Sequence, residues 1–462
     1  MELRYREIVL RDMVEADIDD QIRWWTVDTD WGDWDAPWKP LNPIDPVQYR
    51  QKLQNQIAQP KQGHRWSLEI TTASGVHIGK TNSYLIDEQW NWLSLLDVAP
   101  GQRVFHTLGI DLMEKDYWGS GLGTQALAAF ILHHLDHGIR ELCLQTWSGN
   151  LRMVRCADKL GFAECHREVG YREVRGEIYD GLTFRLDEAA FRRYLFEENR
   201  KLLGLPTELL ARYDARPGEY ERMAKTAYDG EAPNYPICRL GPMDRLVTWC
   251  CAATEVARRY QDRGVDWEIV KNTLMQIPHR AEAAGLSKES ALWLRHLYHG
   301  VIYRLGSLEF QEFSMVYLDR EGCGEDYMPV SLEQKRLLPP GTPVINVHIP
   351  AGADLSPKAV DGAFAAAKTL FGAIYPQARA FVCYSWLLHP GLRQLLDENS
   401  NILRFAARFP IVGQAQDAGE AIRWIYGKKY RRKGDYPQET TLQRKALGHF
   451  DCLGEACGVM DI

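Results

Sequence analysis

The sequence predicts a mixed α+β and α/β architecture, in which two central sheets flanked by helices are joined by a helical region. Three observations predict it. An apolar run over 104–113 ends in a turn carrying Gly119, Gly121 and Gly123, and a helix pattern follows at once. A second strand, turn, helix, strand, helix series recurs over 344–396 with a less glycine-rich turn. Between the two, helical periodicity dominates from 196 to about 306.

Taken in order, residues 3–10 alternate as a first strand and 13–25 read as a helix. The next stretch interleaves Trp31, Asp33, Trp34, Asp35 and Trp38 too densely for a plain amphipathic helix, and Pro37 and Pro40 stop one. Residues 66–72 and 76–86 read as a hairpin turning at Ser74 and Gly75. After the glycine turn, Leu127, Phe130, Ile131 and His134 fall on one side of a helix. Residues 141–147 form a strand, 151–159 a short helix, and the segment from Gly161 opens a last pair of strands and an ending helix over 186–195. Helices are expected over 202–212, 244–263, 267–284 and 288–305, and a strand over 308–318. Strands over 344–349 and 380–388 and helices over 358–371 and 391–396 complete the second series. Ser356 and Pro357 there provide a helix start.

Composition bounds the function. The chain has 462 residues, 45% hydrophobic and 25% charged, which is ample for two or three cores. Its formal net charge of −7 carries no surplus that would attract nucleic acid or an anionic membrane. The basic cluster from Lys428 to Lys433 is the main exception and reads as solvated. With no signal-like or membrane-spanning apolar run, a cytoplasmic location is expected. Ten scattered cysteines without a C-x-x-C pair support neither a zinc ribbon nor a dithiol motif.

Glycines let the backbone approach an anion, and the unpaired N–H groups of a first helical turn point at it. With the strand over 141–147, Asn150, the helix after it and the pair Gly161-Phe162, the ordered motifs resemble the GNAT acetyltransferase superfamily. The closest branch is the ribosomal-protein N-terminal acetyltransferases. The resemblance covers roughly 3–195. It implies a mixed sheet whose fourth and fifth strands, here 104–113 and 141–147, splay apart, and acetyl-CoA or another acyl-CoA as cofactor. The pyrophosphate would lie on Trp118, Gly119, Ser120, Gly121, Leu122, Gly123 and Thr124. Leu112 and Met113 would offer free backbone groups to pantetheine and the oxyanion, and Asn150 would contact the cofactor or orient its strand end. Trp31, Asp33, Trp34 and Asp35 lie where relatives line the acceptor side, and carboxylates among Trp faces suit a cationic amine.

From 200 to 455 the chain resembles acyltransferase-domain proteins that pair a helical part with a GNAT-like C-terminal domain. The resemblance rests on Trp293-Leu-Arg295, Val347 to Pro350, Phe381 to Leu388, Asn399 to Phe405 and Thr440 to Arg444. The expected domains are 1–195, a helical 196–307, and 308–462. This half is either a second acyl-CoA site, with 351–356 facing phosphate and His348, Ser385 or His389 near the acyl group, or a catalytically silent fold.

The expected reaction is direct attack of a primary amine on the thioester. The acceptor would be a protein N-terminus, a polyamine or aminoglycoside, or an amino metabolite; no nucleic-acid or membrane partner is expected, and a homodimer is compatible. The alternative is an acyl-CoA sensor without turnover. Ala157 occupies the position of the usual general-acid Tyr, so either Ser148 is a substitute acid or the thiolate leaves without one, and Glu114 or His106 is the base. Cys156 is expected to point elsewhere on its helix. His106 otherwise reads as a satisfied strand histidine, and His133, His134 and His137 invite a metal reading, since His133 and His137 are four apart on one helix. No third ligand is evident, so no metal is expected.

Overall fold

The structure is a computed structural model and describes residues 1–318, 328–427 and 435–462. The basic cluster from Lys428 to Lys433 lies outside the described residues. The chain divides into two compact units, residues 1–262 with 277–291, and residues 263–276 with 292–462.

In the first unit, the opening strand is a hairpin instead: β1 (Glu2–Tyr5) and β2 (Ile8–Arg11) pair antiparallel around Arg6, whose φ of 53° reverses the chain. Helix α1 spans Ile18–Thr26, and the Trp-rich stretch contains one short turn of helix, α2 (Gly32–Asp35). Helix α3 (Pro46–Ala58) escaped the sequence reading, although its start is written plainly. Asp45 caps the N–H groups of Val47 and Gln48, and Pro46 sits at the first helical position.

The strands β3 (Ser67–Thr72), β4 (His77–Ile86), β5 (Trp92–Leu93) and β6 (Phe105–Leu112) follow. Then come α4 (Leu122–Asp136), β7 (Leu142–Trp147), α5 (Leu151–Lys159), β8 (Phe162–Val174), β9 (Glu177–Leu186) and α6 (Glu188–Leu202). The sheet order is β1-β2-β3-β4-β6-β7-β9-β8, with β5 on β4. Leu108, Leu142 and Leu144 on one sheet face pack against Ala126, Leu127, Phe130 and Ile131 of α4, Ala157 of α5 and Leu160 just after it. The unit continues through α7 (Glu208–Ala215), α8 (Pro217–Thr226), α9 (Pro242–Gln261) and the small pair β10 (Ala281–Glu282) and β11 (Gly285–Leu286). Residue 195, the expected boundary, falls inside α6.

In the second unit, β12 (Ile302–Leu305), β13 (Leu308–Ser314), β14 (Pro343–His348), β15 (Ala380–Ser385), β16 (Ile411–Ala415) and β17 (Glu455–Asp461) form a six-stranded sheet. Its order, β12-β13-β14-β15-β17-β16, repeats the succession β3-β4-β6-β7-β9-β8 of the first sheet. Helical periodicity over 288–305 misled at its end: Gly300 and Gly306, at φ 72° and 59°, free residues 302–305 to pair with β13. No helix among the described residues is long and apolar enough to cross a membrane.

Candidate active site

The site lies where β6 and β7 part. They pair in parallel only from His106↔Leu142 to Leu108↔Leu144. His106 N–H donates to Glu141 on the β7 side, whereas Met113 N–H donates to Ile78 on the β4 side. Backbone groups alternate along a strand, so those of Ile110 and Leu112 face the opening gap. The Leu112 carbonyl accepts from Trp118 Nε1 at 2.8 Å. That leaves the N–H groups of Ile110 and Leu112 directed into the gap. Met113 is only 3% exposed, packed with Trp24 and Trp31, and its N–H is already used. Ile110 therefore presents the backbone group that sequence reasoning assigned to Met113.

A cavity of about 620 Å³ fills the gap. One end is the glycine turn. Gly121 is left-handed at φ 90° and offers α4 no cap of its own; Ser120 Oγ accepts only from Leu122 N–H at 3.4 Å, so the following helix N–H groups open onto the cavity. A Cβ on Gly121 would meet no protein atom within 4 Å, whereas one on Gly123 would sit 3.1 Å from Leu112 Cδ1. The first glycine thus keeps a cradle open and the second lets α4 close on β6. Trp118, Gly119 and Thr124 also line the cavity, while Leu122 turns into the core and Ser120 Oγ donates to the Tyr117 carbonyl at 2.6 Å.

Helix α5 forms the adjoining wall with Arg152, Arg155 and Lys159, at the spacing of one helical face. Sequence reasoning missed these three cations, though their spacing was there to read. The Arg152 guanidinium lies between Trp34 and Trp118, 4.4 and 4.8 Å from the two ring centres. Cys156, expected to point elsewhere, lines the cavity too; its Sγ is 3.5 Å from Thr124 Oγ1, and burial pushes its thiol pKa up. Asn150 accepts from Met153 N–H at 3.1 Å as the cap of α5 and donates to the Trp34 carbonyl at 2.8 Å. Trp147 Nε1 donates to the same carbonyl at 3.0 Å. Asn150→Ala removes both contacts and is expected to cost about 1–2 kcal/mol, read as a lowered midpoint in chemical denaturation.

The opposite sheet face carries Asn82, Tyr84, Asp111 and Gln145, with Asp35 and Trp34 from α2 above them. Tyr84 Oη donates to Gln145 Oε1 at 3.0 Å. Burial raises the Asp111 pKa from 3.8 to about 6, against the pull of Lys80 directly across on β4 and with a further push from Asp35. Asp35 is itself raised by burial. Asp111 was also missed; a lone carboxylate within an apolar strand was its only mark.

Several expected residues stand elsewhere. Glu114 is not at the cavity; Arg23 binds its carboxylate at 2.5 Å and Trp24 Nε1 donates to it at 2.8 Å. Ser148 faces β9, where its Oγ accepts from Asp180 N–H at 3.0 Å. Trp31, Trp34 and Asp35 line the cavity, but Asp33 points away and pairs with Arg175 at 3.1 Å.

In the second unit each of the three expected residues has a local hydrogen-bond partner. His348 Nε2 meets Gln311 Oε1 at 2.8 Å, and Ser385 Oγ accepts from Leu387 N–H. His389 is 6% exposed, hydrogen-bonded at Nδ1 to Cys452 O, and a Cβ on Gly454 would strike its ring. The turn before helix Pro357–Ile374 lacks the expected Ser356 cap; Asp354 accepts from Ser356 N–H instead, setting a carboxylate where a phosphate would lie.

A parallel strand pair that splays beside a glycine-led helix N-terminus suits an anionic, phosphate-bearing ligand. Residues 7–163 match the family model described as acetyltransferase (GNAT) domain, and residues 302–460 match that of the GNAT-like C-terminal domain. The chain therefore carries a GNAT acetyltransferase domain followed by a GNAT-like C-terminal domain. No curated protein matches it. Among solved structures it is similar to an acyltransferase in complex with decanoyl-CoA and teicoplanin, at 20% identity and a TM-score of 0.43, over 57% of this chain and 87% of that one. It is also similar to the ribosomal L7/L12 α-N-protein acetyltransferase RimL in complex with coenzyme A, at 16% identity and 0.32, over 40% and 97%. A GNAT-family acetyltransferase from Bacillus anthracis aligns at 10% identity and 0.31, over 41% and 99%.

Proposed function

We propose that the first unit is an acyl-CoA-dependent N-acyltransferase that acylates a primary amine by direct attack. The observation that carries this reading is one continuous cavity that joins the open cradle at Gly121, the three cations of α5 and the gap between β6 and β7. Acyl-CoA bound there supplies an acyl group activated as a thioester. Its phosphates suit the helix N-terminus and the charges of Arg152, Arg155 and Lys159. The N–H groups of Ile110 and Leu112 supply donors for a developing oxyanion. Asp111, half-buried beside the gap and ionised above about pH 6, accepts the proton that the amine must lose, directly or through water. Asp35 and the Trp34 ring favour a cationic acceptor before deprotonation.

Arg155→Glu combined with Lys159→Glu reverses two charges on this wall. Acetyl-CoA affinity is expected to fall about 10–100-fold, and its dependence on salt to flatten, in calorimetry at two ionic strengths. The deciding experiment follows release of free CoA thiol from acetyl-CoA against a panel of peptides, polyamines, aminoglycosides and amino metabolites. Amine-dependent release supports the enzyme. Binding without release against every amine class would leave a sensor and sink the transferase.

A further inference from the structure

On the sheet face away from α4, the cavity ends on a floor. β6 and β7 stop pairing after Leu108↔Leu144, and three side chains lie across the strands where they part. Asn82 of β4 lies over Gly109, its cross-strand partner, so closely that a Cβ on Gly109 would stand 2.5 Å from Asn82 Oδ1. Tyr84, two residues further along β4 and on the same face, reaches over β6 to β7. There its Oη donates to Gln145 Oε1 at 3.0 Å. Gln145 Nε2 donates in turn to the Trp90 carbonyl at 3.0 Å and to Thr183 Oγ1 at 3.2 Å. One bar of hydrogen bonds therefore runs from β4 over β6 and β7 to β9, at the closed end of the gap.

The space behind the bar is filled. Ile86, Phe105 and Cys143 are at most 3% exposed and pack with the rings of Tyr84 and Trp90. The Trp90 and Phe105 ring centres lie 5.4 Å apart. The space beside the bar is polar, since Asn82, Asp111 and Asp35 line it.

We infer that Tyr84 and Gln145 limit the donor's acyl group to acetyl or propionyl. This rests on the acyl-CoA reading of the cavity given above. The bar lies one to three residues back along β6 from Ile110, whose N–H is offered to the oxyanion, or about 3–10 Å. An acetyl or propionyl group ends short of it, whereas an octanoyl chain has to cross it. Each added methylene strengthens binding only where it leaves water for an apolar wall. Past the bar the chain meets side chains already packed against one another, and to its side it would desolvate Asp111 and Asp35. Gln145 holds its place because both donors of its amide are used, which leaves Tyr84 with a fixed partner.

The test is calorimetry on the full chain with CoA and with acetyl-, propionyl-, butyryl-, hexanoyl- and octanoyl-CoA, and it needs no turnover. Acetyl- or propionyl-CoA is expected to bind tightest, and octanoyl-CoA about tenfold or more weaker. Tyr84→Ala removes the ring and should move the octanoyl-to-acetyl affinity ratio by about tenfold toward octanoyl. Tyr84→Phe keeps the ring and should leave that ratio near the parent's. The parent series decides the length limit without any variant, and Gln145→Ala repeats the second comparison if Tyr84→Ala does not fold. Octanoyl-CoA bound by the parent as tightly as acetyl-CoA would overturn the inference and leave the cofactor reading standing. No binding of CoA itself would overturn both. A ratio unmoved in Tyr84→Ala and in Gln145→Ala would overturn the part assigned to these two residues.

Discussion

Asp111→Asn is expected to lower kcat/KM for the amine by about 10²–10⁴-fold while acetyl-CoA affinity stays within about twofold, because the substitution removes a proton acceptor and keeps the shape. In the parent, kcat/KM should decline below about pH 6 as Asp111 protonates, and the variant should lose that limb. Stability moves the opposite way. Burial raises the Asp111 pKa, so the fold favours the uncharged carboxyl. Below about pH 4 the group is neutral in both folded and unfolded chains and contributes no difference. Between about pH 4 and 6 the unfolded chain ionises first, and folding stability falls as pH rises. Above pH 6 the full cost applies, on the order of 3 kcal/mol for a displacement of about two pKa units. Asp111→Asn should therefore melt higher than the parent at pH 7.5 and equal to it near pH 4. A variant with parental kcat/KM would remove Asp111 from the reaction. Unchanged melting at pH 7.5 would show that its carboxyl is well solvated.

Gly121→Trp should abolish measurable acetyl-CoA binding, a loss of at least about 100-fold. The Cβ at this position projects into space with no protein atom within 4 Å, and the indole would occupy the cradle. A φ of 90° also charges any side chain about 1–2 kcal/mol of backbone strain. Gly121→Ala carries the same strain with almost no added bulk. Comparing the two by calorimetry, with circular dichroism to confirm folding, separates obstruction from strain. Retained affinity in Gly121→Trp would place the cofactor elsewhere.

The parts of this site legible in sequence are those written in consecutive residues. The apolar strand, the glycine turn and the helices after it and after Asn150 are local patterns, and each forms as read, whereas the capping role of Asn150 emerged only in the structure. Asp35 and Trp34 reach the cavity, and neighbouring Asp33 does not, because one turn of α2 sends adjacent side chains in different directions. Glu114 fails for a longer-range reason: Arg23 and Trp24, some ninety residues earlier, take its carboxylate. Met113 fails on strand parity, since β4 claims its N–H and the gap receives those of Leu112 and Ile110.

By itself the sequence determined the two-sheet architecture and the glycine turn that leads into a helix, while the parting of the strand pair beside it was only implied by the family resemblance. Hydrophobic period, glycine and cap residues act over a few residues and need no partner from afar. Only the tertiary structure decided which charges face the gap, that Asp111 is buried enough to be raised to about 6, and that Tyr84 reaches over β6 to Gln145. Burial and contact across strands depend on how strands and helices distant in sequence pack, and no local pattern records that packing.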